Sequence, residues 1–497
     1  MKNLKDKEIW FVTGSQDLYG EAVLQQVAAD SRIITEALDN SSLIPCRVVF
    51  KPALTTSDAI FRMCIEANMN ASCVGIIAWM HTFSPAKMWI KGLKVLSRPF
   101  LHLHTQLNGE IPWDTIDMDF MNLHQSAHGD REFGFISARM RLDRKVVVGH
   151  WQDEEVEKNI AVWTRAAAAY DDFQNLRIAR FGDNMRDVAV TEGNKVSAQI
   201  KMGYSVFGFG TGDLVDSVDS VTDHEVNLLL EEYNSVYQVA RDVAESVSLR
   251  DAARIEAGME KFLKDGNFKA FTTTFEDLHG LKQLPGLAVQ RLMAKGYGFG
   301  AEGDWKTAAL VRAMKVMASG LPGGTSFMED YTYHLEPGRM RVLGAHMLEV
   351  CPSIADDKPY LEIHPLSIGG KNDPARLVFK SAPGKAVAAS LIDLGNRFRM
   401  IVNKLEVVEC PDMPNLPVAS VLWKPVPDLK TSAAAWIHAG GAHHTGFSTA
   451  LTPDYIDDFS VMLGIEYLLI DENTDIKNFR NEIKWNEVYY HIANGII

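Results

Sequence analysis

Residues 74–80 read Val-Gly-Ile-Ile-Ala-Trp-Met, without one polar side chain. A strand with a solvated face alternates apolar and polar residues, so a run like this is covered on both faces. Around it stand further β-prone segments at Glu8–Gly14, Cys46–Phe50 and Pro99–His104. Between them, Glu21–Leu38 and Pro85–Leu96 carry apolar residues at helical spacing. Strands alternating with helices predict a doubly wound α/β domain with a parallel sheet. Ligands of such folds meet the loops after the strands. Here those loops are Gly14-Ser15-Gln16-Asp17-Leu18-Tyr19 and His81-Thr82-Phe83-Ser84.

The alternation restarts near residue 175. Asn175–Phe181 and Tyr204–Phe209 read as strands, Lys195–Met202 as a helix, and Asp223–Asp265 as a long charged helical stretch. After about residue 325 the pattern changes. Val342–Val350, Arg376–Phe379, Ala386–Asp393 and Arg397–Val408 are short β-prone segments, and Pro411, Pro414, Pro417, Pro425 and Pro427 punctuate the region. Short strands with such connections predict a barrel or a sandwich. The end returns to a helix at Asp454–Leu463, a strand at Glu466–Ile470 and a last helix. At 497 residues the chain exceeds one ordinary core. The expected division is an N-terminal α/β domain over 1–174, a central α/β domain over 175–325, and a β-rich domain with terminal helices over 326–497.

Bulk charge narrows the function. A net charge of -14 argues against nucleic acid and against an anionic membrane surface as partners. No signal-like or membrane-spanning apolar stretch is present, and the five cysteines form no CxxC pair. Cys46, Cys64, Cys73, Cys351 and Cys410 read as buried free thiols of a cytoplasmic protein.

Against this background a few polar residues stand where the pattern predicts core. Glu302, Glu329 and His346 are embedded in apolar or glycine-rich sequence, and His443-His444 follows Gly440-Gly441. Burying such groups is costly unless they pair or bind metal. Each has a bland alternative: a helix-terminal carboxylate for Glu302, a loop acid for Glu329, a hydrogen-bonded core histidine in a strand for His346, a solvated turn for the histidine pair. Their spacings of 27, 17 and 98 residues, counted to His444, form no local metal motif. Together they suggest a divalent cation used in acid–base chemistry. Gly298-Phe-Gly300-Ala-Glu-Gly303 matches the letters of a dinucleotide loop, but Gly286–Lys295 before it reads as helix where that motif needs a strand. A tight turn is the better reading there, and again at Gly208-Phe-Gly210-Thr-Gly212.

Longer segments carry a resemblance. They are Trp10-Phe-Val-Thr-Gly-Ser-Gln16-Asp-Leu-Tyr-Gly20, Trp79-Met-His-Thr-Phe-Ser-Pro-Ala-Lys-Met-Trp89, Pro112-Trp-Asp-Thr-Ile-Asp-Met-Asp-Phe-Met-Asn-Leu123 and His128-Gly-Asp-Arg-Glu-Phe-Gly134. Further along stand Arg180-Phe-Gly-Asp-Asn-Met-Arg186, the run from Phe271 to Gly286, and Glu302-Gly-Asp-Trp-Lys-Thr-Ala-Ala309. The last are Gly324-Thr-Ser-Phe-Met-Glu-Asp-Tyr-Thr332, His346-Met-Leu-Glu-Val-Cys-Pro-Ser353 and Gly440-Gly-Ala-His-His-Thr445. Over nearly its whole length the chain resembles the bacterial L-arabinose isomerases.

The resemblance implies two flavodoxin-like α/β domains followed by a C-terminal β-barrel. It implies one Mn²⁺ per subunit, with Co²⁺ or another divalent ion as substitutes, held by Glu302, Glu329, His346 and His444. It implies sugar contacts from Gln16, Leu18, Tyr19, Gln125, His128, Met185, Phe275 and Ile368. Family members assemble as hexamers in which the N-terminal domain of one subunit covers its neighbour's site. The expected reaction interconverts L-arabinose and L-ribulose, with D-galactose to D-tagatose beside it. The chemistry suits these residues: a divalent cation stabilises the developing enediolate, and two carboxylates supply an acid–base pair. Which of Glu302 and Glu329 is the base stays open. His128 either assists ring opening or hydrogen-bonds a sugar hydroxyl. The alternatives are a fucose-type isomerase, a non-catalytic sugar-binding protein, and a nucleotide-dependent oxidoreductase.

Overall fold

The computed structural model describes residues 4–366, Ile368 and 370–495. The chain forms two compact units. Among the described residues, one comprises 4–171 with Asp457–Gly464, and the other those from Asp172 to Ile456 with 465–495.

The first unit is built on five parallel strands, β1 (Glu8–Gly14), β2 (Arg47–Phe50), β3 (Cys73–Met80), β4 (Phe100–His104) and β5 (Lys145–Val148), in the order β2-β1-β3-β4-β5. All eight residues of β3 are buried, as the unbroken apolar run predicts. Full burial of each of its large aliphatic side chains stabilises the fold by about 1.5–3 kcal/mol. Trp10, Val12, Met80, Trp89 and Phe133 pack together beside this sheet. The order 2-1-3-4-5 is that of flavodoxin-like folds, with its switch point between β1 and β3. Pro85–Leu96 is not one helix but a short turn of helix at Ala86–Met88 followed by Ile90–Leu93.

The second unit begins with four more parallel strands, β6 (Arg177–Phe181), β7 (Ser205–Phe209), β8 (Ala270–Thr273) and β9 (Gly298–Gly300), ordered β9-β8-β6-β7. Counted from β6, this is again 2-1-3-4. The helix Trp305–Met317 is buried along its whole length. A Cβ on Gly298 would lie 2.1 Å from the Ala308 carbonyl oxygen, and one on Gly300 2.2 Å from that of Asp304. Gly298 and Gly300, the first two glycines of the dinucleotide-like letters, therefore serve close strand–helix packing. Gly298–Gly300 is a strand, and only the residues after it form a turn. The stretch Asp223–Asp265 is helical, as expected, but not continuous. It divides into helices Asp223–Val236, Arg241–Ala244 and Val247–Asp265. Between the first two, Gln238–Val239 pairs with Tyr360–Leu361, and the Ser246 side chain caps the last helix by accepting from the Leu249 N–H.

Six antiparallel strands then close a barrel: β10 (Thr325–His334), β11 (Arg341–Ala345), β12 (Gly384–Asp393), β13 (Phe398–Val408), β14 (Ser420–Pro425) and β15 (His444–Ser448). They run β12-β15-β10-β11-β14-β13 and return to β12 through a ten-residue register. A last strand, β16 (Glu466–Ile470), adds in parallel to β13. Met328, Val342, Leu405, Val421, Trp423 and Phe447 belong to one apolar core. The expected strand Val342–Val350 ends at Ala345. Beyond it, the Glu349 carboxylate accepts from the Leu348 N–H, a local bond that competes with the ladder. Among the described residues, no helix is long and apolar enough to cross a membrane.

Candidate metal centre

The centre lies where the C-terminal edge of the second parallel sheet meets the barrel. Directly after β9 the chain turns through Glu302 and Gly303, both at positive φ, +57° and +79°. A left-handed non-glycine residue costs about 1–2 kcal/mol, so its surroundings must hold it there. The Met185 N–H donates to the Glu302 carbonyl at 3.0 Å, and the Gly303 N–H donates to the Thr273 carbonyl at 3.1 Å. Asp304 then caps the following helix, accepting from the N–H groups of Lys306 and Thr307.

Barrel register supplies the other residues. Glu329 on β10 sits opposite His444 on β15 and opposite Ala345 on β11. His346 follows Ala345 directly, so two ladder pairings bring Glu329, His346 and His444 together. His346 Nε2 lies 3.2 Å from Glu329 Oε1, and His444 Nε2 lies 3.3 Å from the same oxygen. His444 Nε2 is also 3.6 Å from Glu302 Oε2, as is His443 Nε2. His444 is fully buried while the His443 side chain is 45% exposed, so the pair is not a solvated turn. Phe327 presents its ring edgewise to both His346 and His444 at 5.2 and 5.3 Å.

Both imidazoles are oriented from behind. His444 Nδ1 is 3.1 Å from Asp304 Oδ2, and His346 Nδ1 makes a short hydrogen bond with Glu349. That arrangement turns each Nε2 toward the glutamates. His444 Nε2 is buried and has no hydrogen-bond partner. Two carboxylates, two Nε2 atoms, one of them orphaned, and carboxylates behind both rings fit a divalent ion. Electrostatics agrees with the high density of negative charge. Burial pushes the Glu329 carboxyl up, but His346 and His444 outweigh it and hold it well below the usual range. Burial pushes His444 down, and Asp304 and Glu329 outweigh it, lifting it to about 9. Asp304 and Glu349 were not singled out from the sequence. The i, i+3 spacing of Glu349 from His346, and the place of Asp304 before a helix, are the available signals.

The expected sugar contacts fall into two groups. Met185 and Phe275 stand on the loops after β6 and β8, which Arg186 ties together through Glu276 at 2.9 Å and Asp277 at 2.8 Å. Ile368, 40% exposed, lies between Tyr360–Ile363 and Ala375–Val378 of the same unit. Gln16, Leu18, Tyr19, Gln125 and His128 belong to the first unit, around its own switch point. There Gln125 Nε2 donates to the Tyr19 hydroxyl at 3.3 Å, and Ser15 and Thr82 join the loops after β1 and β3 through their hydroxyls. Leu18 is 83% exposed.

Family models for the N-terminal, central and C-terminal domains of L-arabinose isomerase match residues 3–175, 177–320 and 324–466. The chain belongs to the L-arabinose isomerase family. An L-arabinose isomerase of Herpetosiphon aurantiacus is 62% identical over 501 residues, covering all of both chains. One from Geobacillus stearothermophilus is 62% identical and one from Thermotoga neapolitana 59%, each over 99% of both chains. Among solved structures, a periplasmic solute-binding protein of Actinobacillus succinogenes aligns with 63% of this chain and 92% of its own at 9% identity. Its TM-score of 0.16 carries no weight. As a member of this family the chain is an aldose–ketose isomerase.

Proposed function

We propose that this chain interconverts L-arabinose and L-ribulose at the centre formed by Glu302, Glu329, His346 and His444. The observation that carries the reading is the convergence of two carboxylates and two Nε2 atoms, each imidazole backed by a further carboxylate. Family membership supplies the sugar. These four residues would hold the ion, which we take to be Mn²⁺, with Co²⁺ able to replace it. When bound, the ion supplies Lewis-acid stabilisation of the charge that develops on the sugar oxygens.

The side chains carry the proton movements. Isomerisation moves a proton from C2 to C1 and another between the two hydroxyl oxygens. Glu302 and Glu329 form the acid–base pair for these transfers, a role that typically contributes about 10²–10⁴-fold. Asp304 and Glu349 keep the imidazoles in the tautomer that leaves Nε2 free. Met185, Phe275 and Ile368 line the sugar's path with apolar surface. We assign Gln16, Leu18, Tyr19, Gln125 and His128 to a neighbouring subunit's site in a cytoplasmic homohexamer. The exposure of Leu18 supports a surface that is covered on assembly. Apolar contacts discriminate weakly against one extra hydroxymethyl group, so D-galactose is converted to D-tagatose as well.

The test is a rate comparison on L-arabinose, D-galactose and L-fucose with the purified chain. L-Ribulose formation well ahead of the other two products supports the reading. A preference for L-fucose, or sugar binding without conversion, overturns it.

A further inference from the structure

A second concentration of buried ionisable groups lies in the first unit, at the C-terminal edge of its sheet. Asp130 is 3% exposed and sits in the first turns of the helix Ser126–Arg139. One carboxylate oxygen accepts from the Met80 N–H at 3.1 Å and faces His102 Nε2 at 2.8 Å, and the other faces His104 Nδ1 at 2.7 Å. One side chain thus ties the helix to the last residue of β3 and to two residues of β4. The hydrogen bond to Asp130 lifts His104 above its ordinary value, with burial opposing it.

The attachment is local to the helix start. Gly129 lies so close to the sheet that a Cβ there would come within 2.5 Å of the Thr82 carbonyl. Gln125, immediately before the helix, donates its N–H to the His81 carbonyl at 3.0 Å, and Ser126 is held by Trp79 Nε1 at 3.2 Å. His128, two residues before Asp130, is exposed. Inward and outward residues therefore alternate over one turn. The buried ones fix the backbone from which Gln125 and His128 project.

We infer that Asp130 is a positioning residue for sugar binding, fixing the stance of Gln125 and His128 through its bonds to Met80, His102 and His104. The inference rests on the reading of Gln125 and His128 as sugar contacts. Asp130→Asn is the informative variant. Its amide oxygen can keep the Met80 and His102 bonds, while its NH₂ meets His104 Nδ1, which must change tautomer to accept. The fold is retained and the charge-assisted bonding is lost.

The experiment measures kcat and KM for L-arabinose, with the thermal midpoint, on the Mn²⁺-loaded oligomer of wild type, Asp130→Asn, Gln125→Ala and His128→Ala. The expected result is a KM raised about tenfold in Asp130→Asn, the loss of one charge-assisted hydrogen bond, with kcat within about twofold. Gln125→Ala and His128→Ala should raise KM likewise. If those two raise KM and Asp130→Asn does not, or lowers only the thermal midpoint, Asp130 is merely structural and the inference is overturned. If neither Gln125→Ala nor His128→Ala changes KM, the sugar-contact reading itself fails, and the inference with it.

Discussion

The chain contains the same strand order twice, and the two copies expose their switch points differently. In the first unit the loop after β1 presents Gln16, Leu18 and Tyr19, with Leu18 83% exposed. In the second, the edge after β8 and β9 is closed by barrel strands that bring Glu329, His346 and His444 against Glu302. One topology thus yields an open rim in one place and a buried charged centre in the other. The difference lies in what packs over the strand ends rather than in the sheets. Catalytic groups need the enclosed edge, because low dielectric and fixed partners strengthen their electrostatics.

The largest expected effect falls on the enclosed edge. Glu302→Gln or Glu329→Gln should lower kcat by about 10²–10⁴-fold while leaving the circular dichroism native. Near-wild-type turnover in either variant would remove it from the acid–base pair. On the open rim, substitutions at Gln16 or Tyr19 should act differently, raising KM by about tenfold with kcat nearly unchanged. A fall in kcat alone would erase the contrast between the two edges.

Packing beneath the enclosed edge gives a smaller, structural prediction. Gly298→Ala forces a Cβ against the Ala308 carbonyl and should cost about 1–3 kcal/mol, seen as a lower thermal midpoint. An unchanged midpoint would show that β9 and its helix can separate freely. The least effect is expected from the thiols of the first unit. Burial pushes Cys46, Cys64 and Cys73 up to about 12. They should resist alkylation in the native protein at pH 8 and react on unfolding. Since their folded values are raised, the stability they contribute is intact below about pH 9 and is lost as pH climbs toward 12. Fast native labelling would contradict the burial.

Much of this was legible in the residues. The unbroken apolar run at 74–80 and the strand–helix alternation predict both parallel sheets, and the proline-punctuated segments after 325 predict the β-rich part. What was hidden depended on partners distant in sequence. β10 and β15 carry Glu329 and His444, polar residues in strands that become reasonable only when paired with each other in the barrel's ladder. The helix Leu429–Ala439 likewise gave no clear signal beside its prolines. Asp304 and Glu349 were invisible as imidazole partners because one of those contacts spans 140 residues and the other looks like ordinary helix spacing. The glycines at 298 and 300 carried a misleading pattern, since close strand–helix packing selects the same letters as a phosphate loop.

In the function proposed above, the enclosed edge is a metal-dependent isomerisation centre. Its most direct measurement is the conversion of L-arabinose to L-ribulose by the intact protein before chelation, after chelation, and after Mn²⁺ is restored. Turnover should be lost on chelation and recover with Mn²⁺, with no recovery in Glu302→Gln or Glu329→Gln. Full turnover in protein shown by elemental analysis to be metal-free would contradict it.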